Sequence, residues 1–435
     1  MPDSAALFAA ITSNDVARTD ALLSTHSDLR ALLTRRVPHD PFGATVFMHP
    51  ATNGNLEMVD VLLRHGADIN ARSDWWAGGF GVLDTCAPAI APALMARGAT
   101  VDAHAAARLG MRDTLVQLLD ANPALVHARG GDGQTPLHFA ANIDIAGELL
   151  KRGAEIDAID VDHESTPAQY MLRDRPEVAR YLVTRGCRTD ILMAAALGAD
   201  ELVRKHLAAD PGAIRTRVSA KWFPMRNPHA GGTIYQWTLA RHASPHSVAR
   251  DAGYLEIYRY LMSQTPDDLK LLRAAECGDA TLARELIASG ASFSPSMNDE
   301  DRSSVAIASA AGNTATARLL LEAGFPTDVR GQNGGSPLHW AAWLGNAELV
   351  GVLVQYGAAL EDRGNEFNMT PLGWALHGSL HSWRKDEGDY GATVRSLLDA
   401  GAAAPIASAK VEASDAAIAA LSAHRTRQLP SAPPS

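Results

Sequence analysis

The sequence predicts an all-α protein built from a row of short helix pairs, and three observations support this prediction. The chain has 435 residues, which is longer than one compact core normally grows, so we expect several domains or an elongated array. Its residues are 46% hydrophobic but only 6% aromatic, so the core must consist mainly of Ala, Leu and Val in thin helical layers. Leucine-rich stretches end in a glycine at intervals of about 33 residues, the length of a small helical repeat.

Each repeat contains the same elements in the same order. A turn leads into Thr-Pro or Ser-Pro, where the hydroxyl can cap a helix and proline can occupy its first turn. A short alanine-rich helix and a Gly-Asn break follow, and then a second helix has apolar residues spaced three or four apart. A glycine suited to the left-handed C-cap closes the unit. The starts are Thr135-Pro136, Thr166-Pro167, Ser244-Pro245, Ser336-Pro337 and Thr370-Pro371, and the closing glycines are Gly66, Gly98, Gly153, Gly186, Gly290, Gly324, Gly357 and Gly401.

Three segments resemble a known family. SPLHWAAWLGNAELVGVLVQYGA (336–358) and TPLHFAA (135–141) are close to the consensus of the ankyrin repeat, and ATNGNLEMVDVLLRHGADINA (51–71) resembles its second half. The chain is similar to ankyrin repeat domain-containing proteins of bacterial type over nearly its whole length. The resemblance implies an ankyrin-repeat solenoid of about twelve helix–turn–helix units with β-hairpin fingers.

We divide the chain where the repeat pattern is interrupted. Residues 1–215 hold the N-terminal repeats with an N-terminal cap, and residues 216–243 form an inserted finger. Residues 244–403 hold the C-terminal repeats, with a second insertion near 377–391. We expect a C-terminal cap helix and a disordered tail in residues 404–435.

Charge and cysteine content exclude several classes of function. A formal net charge of −10 leaves no basic stripe for phosphate, so we do not expect nucleic acid as a partner. No apolar run of about 18 residues is present and no basic segment precedes the first apolar residues, so we expect neither a membrane partner nor a signal peptide. The three cysteines form neither a disulfide framework nor a metal motif, which favours a cytoplasmic location. They are Cys86, Cys187 and Cys277.

The first insertion, residues 216–243, is rich in aromatic residues, and its Gly231-Gly232 pair favours a β-hairpin turn. In one interpretation it is a long finger whose aromatic side chains fill a small core of their own. In the other it forms a lid or a wall of a binding groove. The candidate binding residues here are Trp222, His229, Tyr235 and Trp237.

The second insertion adds about ten residues between the two helices of the last full unit. In the ankyrin family the two residues before the mid-unit glycine face the concave groove, which implies that face for Trp343 and His377. An exposed tryptophan there is costly, so Trp343 is either covered by the neighbouring insertion or part of a binding site. The candidate binding residues in this half of the chain are Trp340, Trp343, Glu366, Trp374, His377, His381 and Trp383.

The sequence gives little support for metal binding or catalysis. His377 and His381 have the i, i+4 spacing of a metal-binding helix face, but Gly378 between them argues against a continuous helix. His242 and His246 share this spacing, yet His246 takes the place of a buried leucine. We assign no catalytic residue, metal ligand or cofactor, because nucleotide-binding and hydrolase motifs are missing. Carboxylates in the fingers could pair for general acid–base catalysis on a sugar or small molecule, although aspartate is also common in turns. These carboxylates are Asp74, Asp132, Asp160, Asp162, Asp299, Glu300, Asp301 and Glu366.

The family resemblance implies a binding or scaffold protein that recognises a protein or peptide partner through its concave groove. It also implies a structural role for the TPLH histidines His138 and His339, whose rings normally hydrogen-bond turn backbone. The alternative function is an enzyme or a binding protein for a sugar or other small polar ligand. Its site would lie in the C-terminal groove, where the two insertions would form one pocket.

Overall fold

The computed structural model describes residues 4–406 and 410–428, so the expected disordered tail at 429–435 lies outside the described residues. The chain divides into two compact units, residues 1–252 (unit 1) and 253–435 (unit 2). Within the part of the chain that the structure describes, no helix has the length and apolarity needed to cross a membrane.

Unit 1 is built from short helices, several of which begin at a capping side chain. Asp102, for example, accepts a hydrogen bond from the N–H of Ala105 at 2.8 Å, which satisfies a donor in the first turn of a helix. The described helices of unit 1 are α1 Ser4–Thr12, α2 Val16–Thr25, α3 Met48–Thr52, α4 Leu56–Arg64, α5 Val82–Thr85, α6 Ala91–Met95, α7 Ala103–Arg108, α8 Arg112–Ala121, α9 Ile143–Lys151, α10 Pro167–Tyr170, α11 Pro176–Thr184, α12 Ile191–Ala196, α13 Asp200–Ala209 and α14 Pro245–Asp251.

Unit 2 is also built from helix pairs. The described helices are α15 Leu255–Gln264, α16 Asp267–Glu276, α17 Ala280–Ala288, α18 Asp299–Arg302, α19 Ser304–Ala310, α20 Thr314–Glu322, α21 Pro337–Trp343, α22 Ala347–Gln355, α23 Pro371–His381, α24 Tyr390–Asp399 and α25 Asp415–Gln428. Helix α21 packs between α19 and α23, and α22 packs between α20 and α24. Each pair therefore contacts its neighbours in the chain, which is the arrangement of a repeat protein. The apolar spacing predicts its core correctly, since Leu349, Val350 and Leu353 are fully buried.

The predicted β-hairpin fingers are not confirmed, because residues 4–406 and 410–428 contain no strand. The fingers are short turns, and the N–H of Gly331 closes one of them by donating to the Gly335 carbonyl at 2.9 Å. A loop of this length has no room for the repeated hydrogen bonds of a ladder. Successive fingers are instead joined by one or two backbone bonds, as from the Glu366 N–H to the Asn333 carbonyl at 3.1 Å.

Candidate functional site

A buried histidine positions the aromatic residues of unit 2. The Ser336 N–H donates to Nδ1 of His339 at 3.2 Å, so the ring proton is on Nε2, which donates to the Met369 carbonyl at 2.9 Å. Burial lowers the pKa of His339 and keeps its ring neutral. The ring packs edge-on against Trp374, with 5.1 Å between the centroids. His339 therefore has the structural role that the family resemblance implies, and it links the start of α21 to the turn before α23.

Four tryptophans of unit 2 lie together, and we call Trp340, Trp343, Trp374 and Trp383 the tryptophan cluster. The ring centroids of Trp340 and Trp374 are 5.2 Å apart, and the Trp343 centroid lies 6.1 Å from those of Trp374 and Trp383. Trp340 and Trp374 are buried, whereas 66% of Trp383 is exposed. The indole N–H groups of Trp340, Trp343 and Trp374 are buried and make no hydrogen bond within the described residues. A buried indole N–H normally has a hydrogen-bond partner, so these three groups are unsatisfied donors.

A cavity of about 250 Å³ opens beside the tryptophan cluster, and its lining is mostly apolar. Glu366 does not line it, because its side chain is exposed beside the finger. The next residue, Phe367, does line it, although 55% of Phe367 is exposed. Sequence reasoning missed Phe367, and the available signal was a large apolar residue in an otherwise polar finger. The cavity is lined by Asn333, Trp343, Phe367, Met369, Trp374 and His377.

The second insertion lengthens a helix instead of interrupting it. Helix α23 continues through Gly378, so the prediction that this glycine breaks the helix is wrong. A Cβ at Gly378 would lie 2.5 Å from the carbonyl oxygen of Trp343, so glycine is needed for the close approach of α21 and α23. His377 and His381 consequently share one face of α23, with ring centroids 4.3 Å apart. Burial, and then the neighbouring His381, lowers the pKa of His377.

The first insertion lies within unit 1, packs against another finger of that unit and does not form the predicted hairpin. Its Gly231 N–H donates to both the carbonyl and the carboxylate Oδ1 of Asp162, at 3.0 Å each. A Cβ at Gly231 would lie 3.0 Å from the ring of His163. The glycine therefore allows a close approach to a finger of unit 1 and does not turn a pair of strands. The segment Gln236–Ala240 then forms a π-helical turn.

The structure separates the four candidate residues of this insertion. Tyr235 is fully buried and its hydroxyl donates to Oδ2 of Asp190 at 2.7 Å, so we correct its assignment from binding residue to structural residue. Trp222 is half-buried, and His229 is exposed. Trp237 is 48% exposed, and both it and His229 line a pocket of unit 1.

This pocket, which we call the unit 1 pocket, has a volume of about 520 Å³. Aromatic side chains from several loops form its walls, and two carboxylates and two imidazoles contribute polar groups. Its lining residues are Phe42, Trp75, Phe80, Asp132, Asp162, His163, Tyr170, His229, Gly231, Ile234 and Trp237. Each insertion thus lines a pocket within its own unit, which differs from the sequence-based alternative of one pocket formed by both.

Three polar side chains of the unit 1 pocket lie close together. One ligand atom each from Asp132, Asp162 and His163 can be chosen so that all three lie within 4.8 Å of one another. Burial raises the pKa of Asp132 to about 6, while the nearby His163 acts in the opposite direction. The adjacent Asp160 has a different role, because its carboxylate accepts hydrogen bonds from the Ser165 and His163 N–H groups, both at 2.7 Å. Asp160 thus holds the shape of the finger, and the other three residues face the pocket.

Comparisons with known proteins agree with the repeat pattern. The family model described as Ankyrin repeats (3 copies) matches residues 103–192 and 271–364, and the model described as Ankyrin repeat matches residues 42–74. Palmitoyltransferase ZDHHC13 of Mus musculus is 32% identical over 82 residues, which are 19% of this chain and 13% of that protein. The alignment therefore spans only a small part of that relative. From the stacked helix pairs, the TPLH histidines and these matches, the chain belongs to the ankyrin repeat family, whose repeats are in general protein–protein interaction modules.

Proposed function

We propose that the protein is a binding or scaffold protein and that unit 2 holds a peptide segment of its partner at the tryptophan cluster and the adjacent cavity. The observation that carries this proposal is the exposure of Trp383 and Phe367 beside a mostly apolar cavity. Large exposed aromatic side chains next to a pocket are the usual anchors of a protein interface. The general role of ankyrin repeats supports the same conclusion.

The size and polarity of the cavity specify the partner's chemistry. A cavity of about 150 Å³ holds benzene, so one of about 250 Å³ has room for a single aromatic or large aliphatic side chain. The rings of Trp343 and Trp374 line this cavity, whereas their indole N–H groups are buried and therefore out of reach of a partner. We therefore propose a peptide that inserts one apolar side chain.

Selection of random displayed peptides on the full chain tests this proposal. We expect the selected peptides to share an aromatic or large aliphatic residue, and Trp383→Ala and Phe367→Ala each to weaken their binding at least about tenfold, or about 1.4 kcal/mol. Tyr356→Ala is the matched control, since Tyr356 is 43% exposed in the same unit but does not line the cavity. Equal affinity for all variants, measured by fluorescence anisotropy, would refute the proposal, as would a failure to enrich any peptide.

Two broader points belong to the same proposal. We infer that the chain contains about twelve repeat units, which the spacing of the helices supports. We also infer that it works in a reducing compartment such as the cytoplasm, because Cys86 and Cys187 are buried and form no disulfide.

Binding of a small polar ligand, with or without catalysis, is the second candidate function, and the unit 1 pocket favours it. The pocket combines aromatic walls with Asp132, Asp162 and His163, which is the composition of sites that hold small polar molecules.

A further inference from the structure

We propose that Asp132, Asp162 and His163 form a binding site for a divalent transition-metal ion, with Zn²⁺ as the best match, in the wall of the unit 1 pocket. An imidazole together with two carboxylates is a ligand set that suits Zn²⁺. The inference does not rest on peptide binding by unit 2, because none of the three residues belongs to that unit.

The hydrogen bonds of His163 orient its ring for metal binding. Nδ1 lies 2.7 Å from the Gly232 carbonyl, which can only accept, so Nδ1 carries a proton. Nε2 lies 3.4 Å from Oδ2 of Asp162. When Nδ1 holds the only ring proton, the lone pair of Nε2 faces Oδ2 of Asp162. A cation between Nε2 and Oδ2 would bind both atoms. An Nδ1–H group held by a backbone carbonyl is also the usual outer-shell partner of a metal-bound histidine.

The two carboxylates are held with oxygen atoms available for a metal ion. Oδ1 of Asp162 accepts from the Gly231 N–H at 3.0 Å, which leaves Oδ2 on the side of His163. Oδ1 of Asp132 is buried and has no hydrogen bond of normal length within the described residues, although the Trp75 side chain lies close enough to lower the pKa of Asp132. The other oxygen, Oδ2, accepts from the Gln134 amide at 3.4 Å. The Asp132 carbonyl accepts from the Asp162 N–H at 3.2 Å, so the backbone keeps the two side chains together.

The distances agree with a small metal centre. Two ligand atoms that each lie about 2.1 Å from a tetrahedral Zn²⁺ are about 3.4 Å apart, which is the separation of His163 Nε2 and Asp162 Oδ2. The widest spacing in the set is 4.8 Å at most, so a small rotation of the Asp132 side chain would complete it. Three protein ligands leave one position open, and the same residues line a cavity of about 520 Å³ where a small molecule can reach the ion.

The corresponding finger of unit 2 shows that the fold does not require these residues. Counting back from the Thr-Pro of α10 and of α23, Asp162 and His163 correspond to Glu366 and Phe367. One backbone bond occurs in both places, because the Glu366 N–H donates to the Asn333 carbonyl as the Asp162 N–H does to that of Asp132, which also accepts from the Val161 N–H. Unit 2 therefore builds this finger pair without the imidazole, so the three residues are not needed for the turn itself.

Zn²⁺ titration of the full chain by calorimetry, after removal of metal with a chelator, tests the proposal. We expect one tight site whose affinity falls at least about tenfold in Asp132→Asn and in His163→Gln. Asp132→Asn is the safer variant for folding, since asparagine occupies the equivalent position 333 of unit 2. His229→Gln is the matched control, because His229 lines the same pocket but does not belong to the cluster, and it should leave the affinity unchanged.

The exposed pair His377 and His381 is the competing source of a Zn²⁺ signal, so His381→Gln must be titrated in parallel. The proposal predicts that His381→Gln retains the tight site. It is overturned if His381→Gln abolishes Zn²⁺ binding while His163→Gln retains it, or if the unmodified chain binds no Zn²⁺. Circular dichroism of each variant establishes that it is folded. Peptide binding by unit 2 should be the same in Asp132→Asn as in the unmodified chain, so failure of either proposal can be recognised separately.

Discussion

Acidification should destabilise unit 1 through one buried histidine, His138. Its Nδ1 accepts from the Thr135 N–H at 3.1 Å, and its Nε2 lies 3.2 Å from the Ser165 carbonyl, to which it donates. Burial lowers the pKa of His138 from an ordinary value of 6.5 to about 3, because a charge would be desolvated there. The folded state therefore holds a neutral ring, whereas the unfolded chain takes up a proton below about pH 6.5. The stability that this ring contributes is complete above that pH and is lost as the pH falls towards 3.

The size of the effect follows from the difference between the two pKa values. Each pH unit between them costs about 1.4 kcal/mol, so His138 alone should remove about 2 kcal/mol of stability by about pH 5. Buried carboxylates in the same unit act in the opposite direction, since burial raises the pKa of Asp160 and of Asp190. The pH dependence of the free energy of unfolding of the unmodified protein therefore contains contributions from several groups. A variant is needed to isolate the contribution of His138.

His138→Gln provides that variant, because glutamine keeps a donor and an acceptor but does not titrate in this range. Urea unfolding followed by circular dichroism, at about pH 7 and about pH 5, gives the free energy of unfolding for both proteins. We expect His138→Gln to be less stable at neutral pH but to lose about 2 kcal/mol less on acidification. His229→Gln, in which an exposed ring is replaced, should follow the unmodified protein. If His138→Gln and the unmodified protein lose equal stability, the reasoning from burial is refuted.

Two further predictions concern the packing of unit 2. Leu353→Ala should lower the free energy of unfolding by about 3 kcal/mol, because Leu353 is fully buried in α22. Leu380→Ala should lower it far less, because Leu380 is 37% exposed. Equal losses in urea unfolding would contradict the assigned core. Gly378→Ala should destabilise the protein, because the new Cβ would lie 2.5 Å from the Trp343 carbonyl oxygen. Gly351→Ala should stabilise α22 by up to about 1 kcal/mol, because no atom lies within 4 Å of the new Cβ. Thermal unfolding of the two glycine variants would show opposite shifts, and shifts of the same sign would count against this packing.

The helix pairs could be predicted from the sequence because both of their causes are local. Thr-Pro and Ser-Pro fix where a first helix begins, and the apolar spacing of Leu349, Val350 and Leu353 fixes which face of the second is buried. The fingers were predicted as β-hairpins from the family resemblance, but a turn closed by a single hydrogen bond has too few residues for strands. The break at Gly378 was predicted from propensity alone, and contact with Trp343 outweighed that propensity.

The sites were harder to predict because their residues come from separate parts of the chain. Asp132 and Asp162 belong to successive fingers, and sequence reasoning placed them among eight finger carboxylates with nothing to distinguish them. Their proximity depends on the backbone bonds from the Val161 and Asp162 N–H groups to the Asp132 carbonyl. The contribution of Gly231 could not be anticipated either, since its N–H reaches Asp162 from an insertion 69 residues further along the chain. The aromatic content of the insertions gave a usable signal, and it led to Tyr235, Trp237 and Trp383 as candidate binding residues. Trp237 and Trp383 are exposed, whereas Tyr235 is fully buried.

The two pockets show how one repeat architecture supports two kinds of chemistry. The same backbone geometry appears in both units, because Asp132 and Asn333 each have a φ of 54° and each accepts from the N–H of an acidic residue in the next finger. The side chains differ: unit 1 adds the imidazole of His163, and the position corresponding to it in unit 2 is Phe367. The ionisable side chains of Asp132 and His163 make the unit 1 pocket suited to a cation. The neutral amide of Asn333 and the phenyl ring of Phe367 make the cavity of unit 2 suited to an apolar side chain. It follows that exchanging Asp132 for Asn should remove the metal preference of the first pocket without altering the fingers that build it.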